Sequence, residues 1–129
     1  MILGFDPGRD KCGVAVLNSD RQVQIHQVVA SDGAITTIKS LIDQYSISLI
    51  VIGDQTTSKI WHQKLTEALP KATVEFVDER NSTLEARDRY WEMYPPQGLQ
   101  KLIPQNLRIP PRPIDDIVAI LLIERYLLD

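Results

Sequence analysis

The segment from Ile47 to Gly53 constrains the fold more than any other part of the chain. It is a run of mostly β-branched and aliphatic residues, the pattern of a strand covered on both faces. An amphipathic helical pattern directly precedes it, with apolar residues at positions 35, 38, 41, 42 and 45. A helix that leads so closely into a buried strand indicates a crossover connection. The sequence therefore predicts a sheet with helices packed against it.

Four other short apolar segments complete the predicted sheet. Residues 1–5, 12–17 and 23–29 are separated only by polar turns, which predicts an antiparallel meander. Residues 47–53 and 73–77 add two strands reached by crossovers, giving five strands in a mixed sheet. Helical patterns at about 33–45, 59–69, from 82 and at 117–128 place helices on both faces. Because 129 residues with 43% hydrophobic content supply one compact core, we expect a single α/β domain over 1–129.

Local signals predict where two helices begin and where one long loop lies. Ser31 or Asp32 is predicted to cap the first helix. Ser82 and Glu85 have the spacing of a capping box, so a helix is expected to start directly after residues 78–80. Six of the eight prolines lie between 95 and 113, which predicts a long surface loop before the apolar C-terminal helix.

Charge and composition limit the partners of the chain. The net charge of −3 argues against binding nucleic acid by bulk charge, although residues 80–112 hold six basic and three acidic residues. Those residues form either a local binding surface or an ordinary solvated helix and loop. The longest apolar run, 117–123, is too short to span a membrane, and Cys12 has no second cysteine to pair with. Since no export signal is present either, we expect a cytoplasmic protein without a membrane partner.

Acidic residues lie where apolar strands end or where the last helix begins. These residues are Asp6, Asp54, Asp78, Glu79, Asp115 and Asp116. The carboxyl ends of neighbouring parallel strands share one rim of a sheet, so acids there can converge. Convergent carboxylates repel one another unless a cation neutralises them, and hard oxygen ligands suit Mg²⁺ or Mn²⁺. Such ions activate water for phosphodiester hydrolysis, which indicates a nuclease. Each acid alone is equally explained as a turn, strand-end or helix N-terminal residue.

Other chemical motifs are weak. Gly8 and Gly13 match the glycines of a phosphate loop, but the Lys and Ser or Thr that such a loop requires are absent. No serine lies in a nucleophile elbow. His26 and His62 have no partners at metal-ligand spacing, so both are expected on the surface.

Three blocks of the sequence resemble the YqgF/RuvX family. They are Leu-Gly-Phe-Asp-Pro-Gly at 3–8 with Gly-Val-Ala-Val at 13–16, Asp-Glu-Arg at 78–80 with Ser-Thr-Leu-Glu-Ala at 82–86, and Ile-Asp at 114–115 with Ala119 and Tyr-Leu at 126–127. The family is described as Holliday junction resolvases and as ribosomal-RNA precursor nucleases with the RNase H-like fold of RuvC resolvases. The order and spacing of the blocks carry the resemblance, since an Asp-x-Gly strand end also opens actin-like ATPases.

The resemblance implies an RNase H-like fold and a metal-dependent endonuclease. Its acidic site corresponds to Asp6, Glu79 and Asp115, which would hold Mg²⁺ or Mn²⁺ while water acts as the nucleophile. The residues expected to contact the phosphates of DNA or RNA are Lys11, Arg80, Arg87 and Arg112. Trp91 and Tyr94 either stack on an unpaired base or pack in the core.

Two positions depart from the family pattern. Lys11 stands where the family usually has Arg, which keeps the charge but loses bidentate phosphate geometry. Residues 53–57, Gly-Asp-Gln-Thr-Thr, replace the usual Gly-Leu-Pro. They place Asp54 near the position of the second acid of RuvC-type enzymes. Asp54 and Glu79 are therefore both candidates for the second ligand, and a loop acid that caps the turn through Gln55 and Thr56 is the other interpretation of Asp54.

Two other classes of protein stay open. A non-catalytic nucleic-acid-binding or scaffold module on the same fold would use its acids as caps and turns, and the acidic net charge favours it slightly. An actin-like ATP-binding lobe would explain Asp-Pro-Gly at 6–8, but it needs a second lobe that 129 residues do not supply. The sequence distinguishes neither DNA from RNA nor a monomer from a homodimer.

Overall fold

Five strands form one mixed sheet in the computed structural model, which describes residues 1–55 and 57–128. The strands are β1 (Ile2–Asp6), β2 (Lys11–Leu17), β3 (Val23–Ala30), β4 (Leu49–Gly53) and β5 (Thr73–Val77). Their order across the sheet is β3-β2-β1-β4-β5. The first three pair antiparallel, whereas β4 pairs parallel with both β1 and β5. The predicted meander and crossovers are confirmed.

Four α-helices cover the two faces of this sheet. They are α1 (Ala34–Tyr45), α2 (Ser58–Ala68), α3 (Ser82–Met93) and α4 (Asp115–Leu128). Side chains alternate along the strands, so Phe5 and Ile52 pack with α1 and α2. Ala15 and Val51 pack on the opposite face with α3 and α4. The prediction of helices on both faces is therefore confirmed.

Two glycines allow α4 to approach the sheet very closely. A Cβ atom on Gly4 would overlap the carbonyl oxygen of Ala119, and one on Gly13 would overlap the backbone of Asp115 and Asp116. The backbone of α4 thus lies directly on β1 and β2, and its apolar residues 117–123 are buried. This contact fixes the first turn of α4 against the carboxyl end of β1.

The predicted cap of α1 is wrong. A 3₁₀ turn, Ser31–Gly33, precedes the helix, and Gly33 occupies the N-cap position without a side-chain hydrogen bond. The Ser31 hydroxyl instead donates to the carbonyl oxygen of Gly8 at 2.9 Å. Neither Ser31 nor Asp32 caps α1, because the serine hydroxyl is used to hold the β1–β2 loop.

The predicted capping box of α3 is also wrong. Asn81, with φ of 59°, precedes the helix, and Ser82 is its first helical residue rather than its cap. The Glu85 carboxylate lies 2.9 Å from Arg125 Nη2 of α4. The Glu85 carboxylate, which the sequence pattern predicted to cap α3, therefore forms an ion pair between α3 and α4 instead.

The segment between α3 and α4 is the predicted surface loop. It contains two 3₁₀ turns, Gly98–Leu102 and Gln105–Leu107, and most of its residues are exposed. Within the described residues, no helix has the length and apolar character needed to cross a membrane.

Gly13→Ala tests the close approach of α4. We expect the free energy of unfolding in urea to fall by about 2–3 kcal/mol, because the added methyl group must displace the backbone of α4. Gly33→Ala is the control, since a Cβ there meets nothing within 4 Å. Equal effects of the two substitutions would contradict this account of α4 packing.

Candidate active site

Acids from three segments lie along the rim where β1, β4 and β5 end, and two of them, Asp6 and Asp115, form a pair. Asp6 is the last residue of β1 and pairs with Gly13 across the β1–β2 ladder. The backbone of Asp115 lies on that same glycine. The side chains of Asp6 and Asp115 consequently lie close enough for the charge of Asp115 to raise the pKa of Asp6. The predicted convergence of these two acids is present.

The Asp6–Asp115 pair is electrostatically costly. Burial, and then the charges of Asp115 and Glu79, raise the pKa of Asp6 to about 8. Burial also raises the pKa of Asp115, against the lowering effect of the Lys11 charge. Two carboxylates in such a site hold a proton between them when no cation is bound. A cation can replace that proton.

Glu79 lies beside this pair, directly after β5. Its carboxylate is buried, with Oε1 accepting the Gln55 N–H at 3.0 Å and Oε2 lying over Gly53. Burial raises the pKa of Glu79, while the hydrogen bond from Gln55 lowers it. The absence of a side chain at Gly53 provides the space for this carboxylate, so β4 and its following turn fix the position of Glu79.

Asp54 contacts Glu79 through the backbone. Its Oδ1 accepts the N–H of Glu79 at 3.4 Å, and its side chain is exposed. The charge of Asp54 contributes to the raised pKa of Glu79. This contact agrees with the loop-acid interpretation, although the part of that turn contributed by Thr56 lies outside the described residues. The identity of the second metal ligand stays a prediction.

The acid pair has the chemistry of a divalent cation site. Carboxylate oxygens are hard ligands, and Mg²⁺ often binds through one or two carboxylates together with water and substrate phosphate. Across residues 1–55 and 57–128, however, no three His, Cys, Asp or Glu side chains are close enough together to form a metal site by themselves. Asp6 and Asp115 therefore fit a cation as a pair, with Glu79 as a neighbour tied to Gln55.

The four predicted phosphate contacts fall into three groups. Lys11 is exposed, and its charge lowers the pKa of Asp115. Arg80, the residue after Glu79 in the chain, is also exposed. Arg87 is half-buried and donates to the carbonyl oxygen of Arg108 at 3.2 Å. Arg112 donates to Asp116 Oδ1 at 3.0 Å. Lys11 thus lies near the acid pair, and Arg87 and Arg112 hold the α3–α4 loop. The side chain of Arg80 instead lines a cavity with Asp78, Glu85 and Arg125, near the end of α4.

Asp116 is the centre of a polar network that the sequence did not reveal. Its buried carboxylate accepts from Arg112 through Oδ1, and Oδ2 lies 2.6 Å from His26 Nδ1. The hydroxyl of Tyr94 lies 3.3 Å from His26 Nε2. The network joins β3, the end of α3 and the loop to the first turn of α4. It fixes the helix turn that carries Asp115.

Neither histidine is a surface residue in the sense predicted. His26 is half-buried because it contacts Asp116, which is 90 positions away in the chain. His62 is half-buried and stacks on Phe76, with ring centroids 4.9 Å apart. No local pattern in the sequence indicated the first of these contacts.

The two aromatic candidates differ in exposure. Trp91 is buried in the core between α3, α4 and the sheet, which confirms its core interpretation. Tyr94 is exposed, and the Arg112 guanidinium lies 5.7 Å from its ring centroid. Of these two residues, Tyr94 is the one whose ring is accessible to an external ligand.

Comparison with known proteins identifies the family. The model of RuvX, described as Holliday junction resolvase, matches residues 1–129. The chain belongs to the RuvX family. The sequence resemblance is confirmed, whereas a search of curated proteins found no match.

Solved structures add evidence on the fold. RuvC of T. thermophilus, determined in complex with a Holliday junction substrate, has a TM-score of 0.59 and 14% identity. The match covers 94% of this chain and 89% of RuvC, and it confirms the RNase H-like fold. A proposed sugar kinase from Cytophaga hutchinsonii ATCC 33406 has a TM-score of 0.49 and 12% identity over 67% of this chain. The chain covers 38% of that longer protein, and we draw no argument from this likeness.

The raised pKa of Asp6 predicts how the stability of the metal-free protein depends on pH. The folded-state pKa of about 8 lies above the unfolded value near 4, so the folded state holds more protons between these values. Stability in EDTA should therefore fall as the pH rises from about 4 to 8. Asp6→Asn should raise the free energy of unfolding at pH 8 by at least about 1 kcal/mol, measured in urea. Exposed Asp10→Asn is the control, and destabilisation by Asp6→Asn at pH 8 would contradict the charge account.

Asp116→Ala tests the polar network. We expect a loss of about 2 kcal/mol in the free energy of unfolding, because the substitution removes a buried carboxylate from Arg112 and His26. Asp43→Ala, on the exposed side of α1, should change it by less than about 0.5 kcal/mol. Urea denaturation measures both, and a neutral Asp116→Ala would show that the network does not hold α4.

Proposed function

We propose that the protein is a metal-dependent nuclease that hydrolyses phosphodiester bonds in branched DNA or structured RNA, such as precursor ribosomal RNA. The observation that carries this proposal is the Asp6–Asp115 pair at the sheet rim of a RuvX-family chain. Two half-buried carboxylates side by side stabilise the fold poorly, so their position is explained best by a ligand of opposite charge. The Holliday junction bound to RuvC supports nucleic acid as the substrate class.

Mg²⁺ or Mn²⁺ is the cation that suits this pair. Asp6 and Asp115 would hold it, and Glu79 would supply the third carboxylate. When bound, the metal supplies a Lewis acid that activates water and stabilises the leaving oxygen. The protein contributes the position of its acids: Gly13 seats Asp115 beside Asp6, and the Gln55 N–H fixes Glu79.

Basic side chains at the rim would orient the nucleic acid. Lys11 is exposed near Asp115 and would contact a phosphate close to the bond to be cleaved, and the exposed Arg80 would contact a phosphate elsewhere along the nucleic acid. Arg87 and Arg112 would contribute more weakly, since both donate hydrogen bonds within the protein. A cation bound to the acid pair would remove its repulsion of a neighbouring phosphate, so the cation should strengthen the substrate binding that the basic side chains already provide.

A non-catalytic nucleic-acid-binding module on the same fold is the second candidate. It is favoured by the lack of three converging ligand side chains among residues 1–55 and 57–128. A cleavage assay separates the two candidates, because both predict binding to structured nucleic acid and only one predicts metal-dependent hydrolysis.

Asp6→Asn should abolish Mg²⁺-dependent cleavage, by about 100-fold or more, while circular dichroism shows the fold retained. The assay uses four-way DNA junctions and structured RNA with Mg²⁺ or Mn²⁺.

Glu79→Gln and Asp54→Asn form a matched pair that identifies the second acid. In the same assay we expect a similarly large loss of cleavage from Glu79→Gln and a loss of less than about 5-fold from Asp54→Asn. Full activity of Asp6→Asn would contradict the mechanism, and a larger loss from Asp54→Asn would make Asp54 the ligand.

A further inference from the structure

The loop between α3 and α4 turns large aliphatic side chains outward. Leu99, Leu102, Leu107 and Ile109 are 82%, 79%, 65% and 78% exposed. Four such exposed side chains within residues 99–109 are more apolar surface than a short segment of a folded monomer ordinarily leaves in water. We call these four residues the aliphatic loop surface.

The loop that carries this surface is tied to α3 by polar contacts. Arg108 Nε donates to the carbonyl oxygens of Gln100 and Ile103, at 3.1 and 2.8 Å. The Gln105 amide donates to Asp88 Oδ1 at 3.2 Å, and Arg87 donates to the Arg108 carbonyl. Arg108 and Gln105 thus form hydrogen bonds within the loop and with α3, while the aliphatic side chains of the loop are exposed to solvent. The outward apolar surface is a property of an organised segment.

The charge around this surface favours an anionic partner. Residues 80–112 carry a net charge of +3 while the rest of the chain carries −6, and no acidic residue lies between 93 and 114. Lys101 is exposed between Leu99 and Leu102. A second copy of this segment would bring basic side chains against basic side chains. A polyanion with apolar faces matches both the charge and the aliphatic side chains.

Nucleobases with an unstacked face combine these two properties. Leucine and isoleucine side chains can act as wedges against base faces, while basic neighbours contact the adjoining phosphates. Bases within a linear duplex are stacked and present no free face, whereas those at a branch point or in a loop do. We propose that the aliphatic loop surface packs against base faces left unstacked at the branch points or in the loops of nucleic acid. This inference rests on the proposed function and adds the means by which a branch is distinguished from a linear duplex.

The double variant Leu99→Ser/Leu102→Ser tests the proposal. Its affinity is measured by fluorescence anisotropy in EDTA, so that no cleavage intervenes, for a four-way DNA junction and for a linear duplex of the same arm sequence. We expect the wild-type protein to prefer the junction, and the double variant to lose about 10-fold or more in junction affinity with duplex affinity unchanged. Ile60→Ser, at a 59% exposed position on α2, is the matched control and should change neither affinity.

Several results would overturn the inference. The proposed base contacts would be contradicted if the double variant bound the junction as tightly as the wild type, or if it lost junction and duplex affinity equally. They would also be contradicted if the wild-type protein bound the junction no more tightly than the duplex. A dimeric wild type and a monomeric double variant in light scattering would assign the surface to a second copy instead. Failure of the wild type to bind these two DNAs and a structured RNA, both in EDTA and with Mg²⁺, would contradict the proposed function itself, whereas the outcomes above leave that function standing.

Discussion

The close packing of α4 on β1 and β2 determines the arrangement of the acidic rim. Gly4 and Gly13 have no side chains to hold the helix away, so its backbone lies directly on the strands. Because Gly13 pairs with Asp6 in the sheet, the first residue of α4 necessarily lies beside the end of β1. The acid pair is therefore produced by backbone contacts, and side-chain flexibility has little scope to separate the two carboxylates.

The two neighbouring acids at the start of α4 have opposite electrostatic surroundings. Asp116 is satisfied by Arg112 and His26, so its charge holds the helix in place. Asp115 faces Asp6, and the basic group that acts on it is the exposed Lys11. Two consecutive residues in the first turn of α4 thus differ: the Asp116 carboxylate is used for structure, and the Asp115 carboxylate is left with excess negative charge. The second arrangement is the one that a divalent cation would stabilise.

The sheet and the rim were predictable because they depend on short-range patterns and one geometric rule. Apolar runs located the strands, and parallel strands bring their carboxyl ends, with Asp6 and Glu79, to one edge. The helix caps were not predictable, because Ser31 bonds to the β1–β2 loop and Glu85 to Arg125. Asp116 and His26 are 90 positions apart, so no local pattern indicated their contact. Predictions from neighbouring residues failed where a side chain binds a partner that is distant in the sequence.

The most direct test of the account is whether Mg²⁺ stabilises the folded protein through the acid pair. A ligand that binds only the folded state raises the thermal midpoint as its concentration exceeds the dissociation constant. Thermal unfolding at neutral pH should show a midpoint that rises with Mg²⁺ in the wild-type protein, and little or no rise in Asp6→Asn. An equal rise in both proteins, or none in the wild type, would contradict the claim that Asp6 and Asp115 form a metal site.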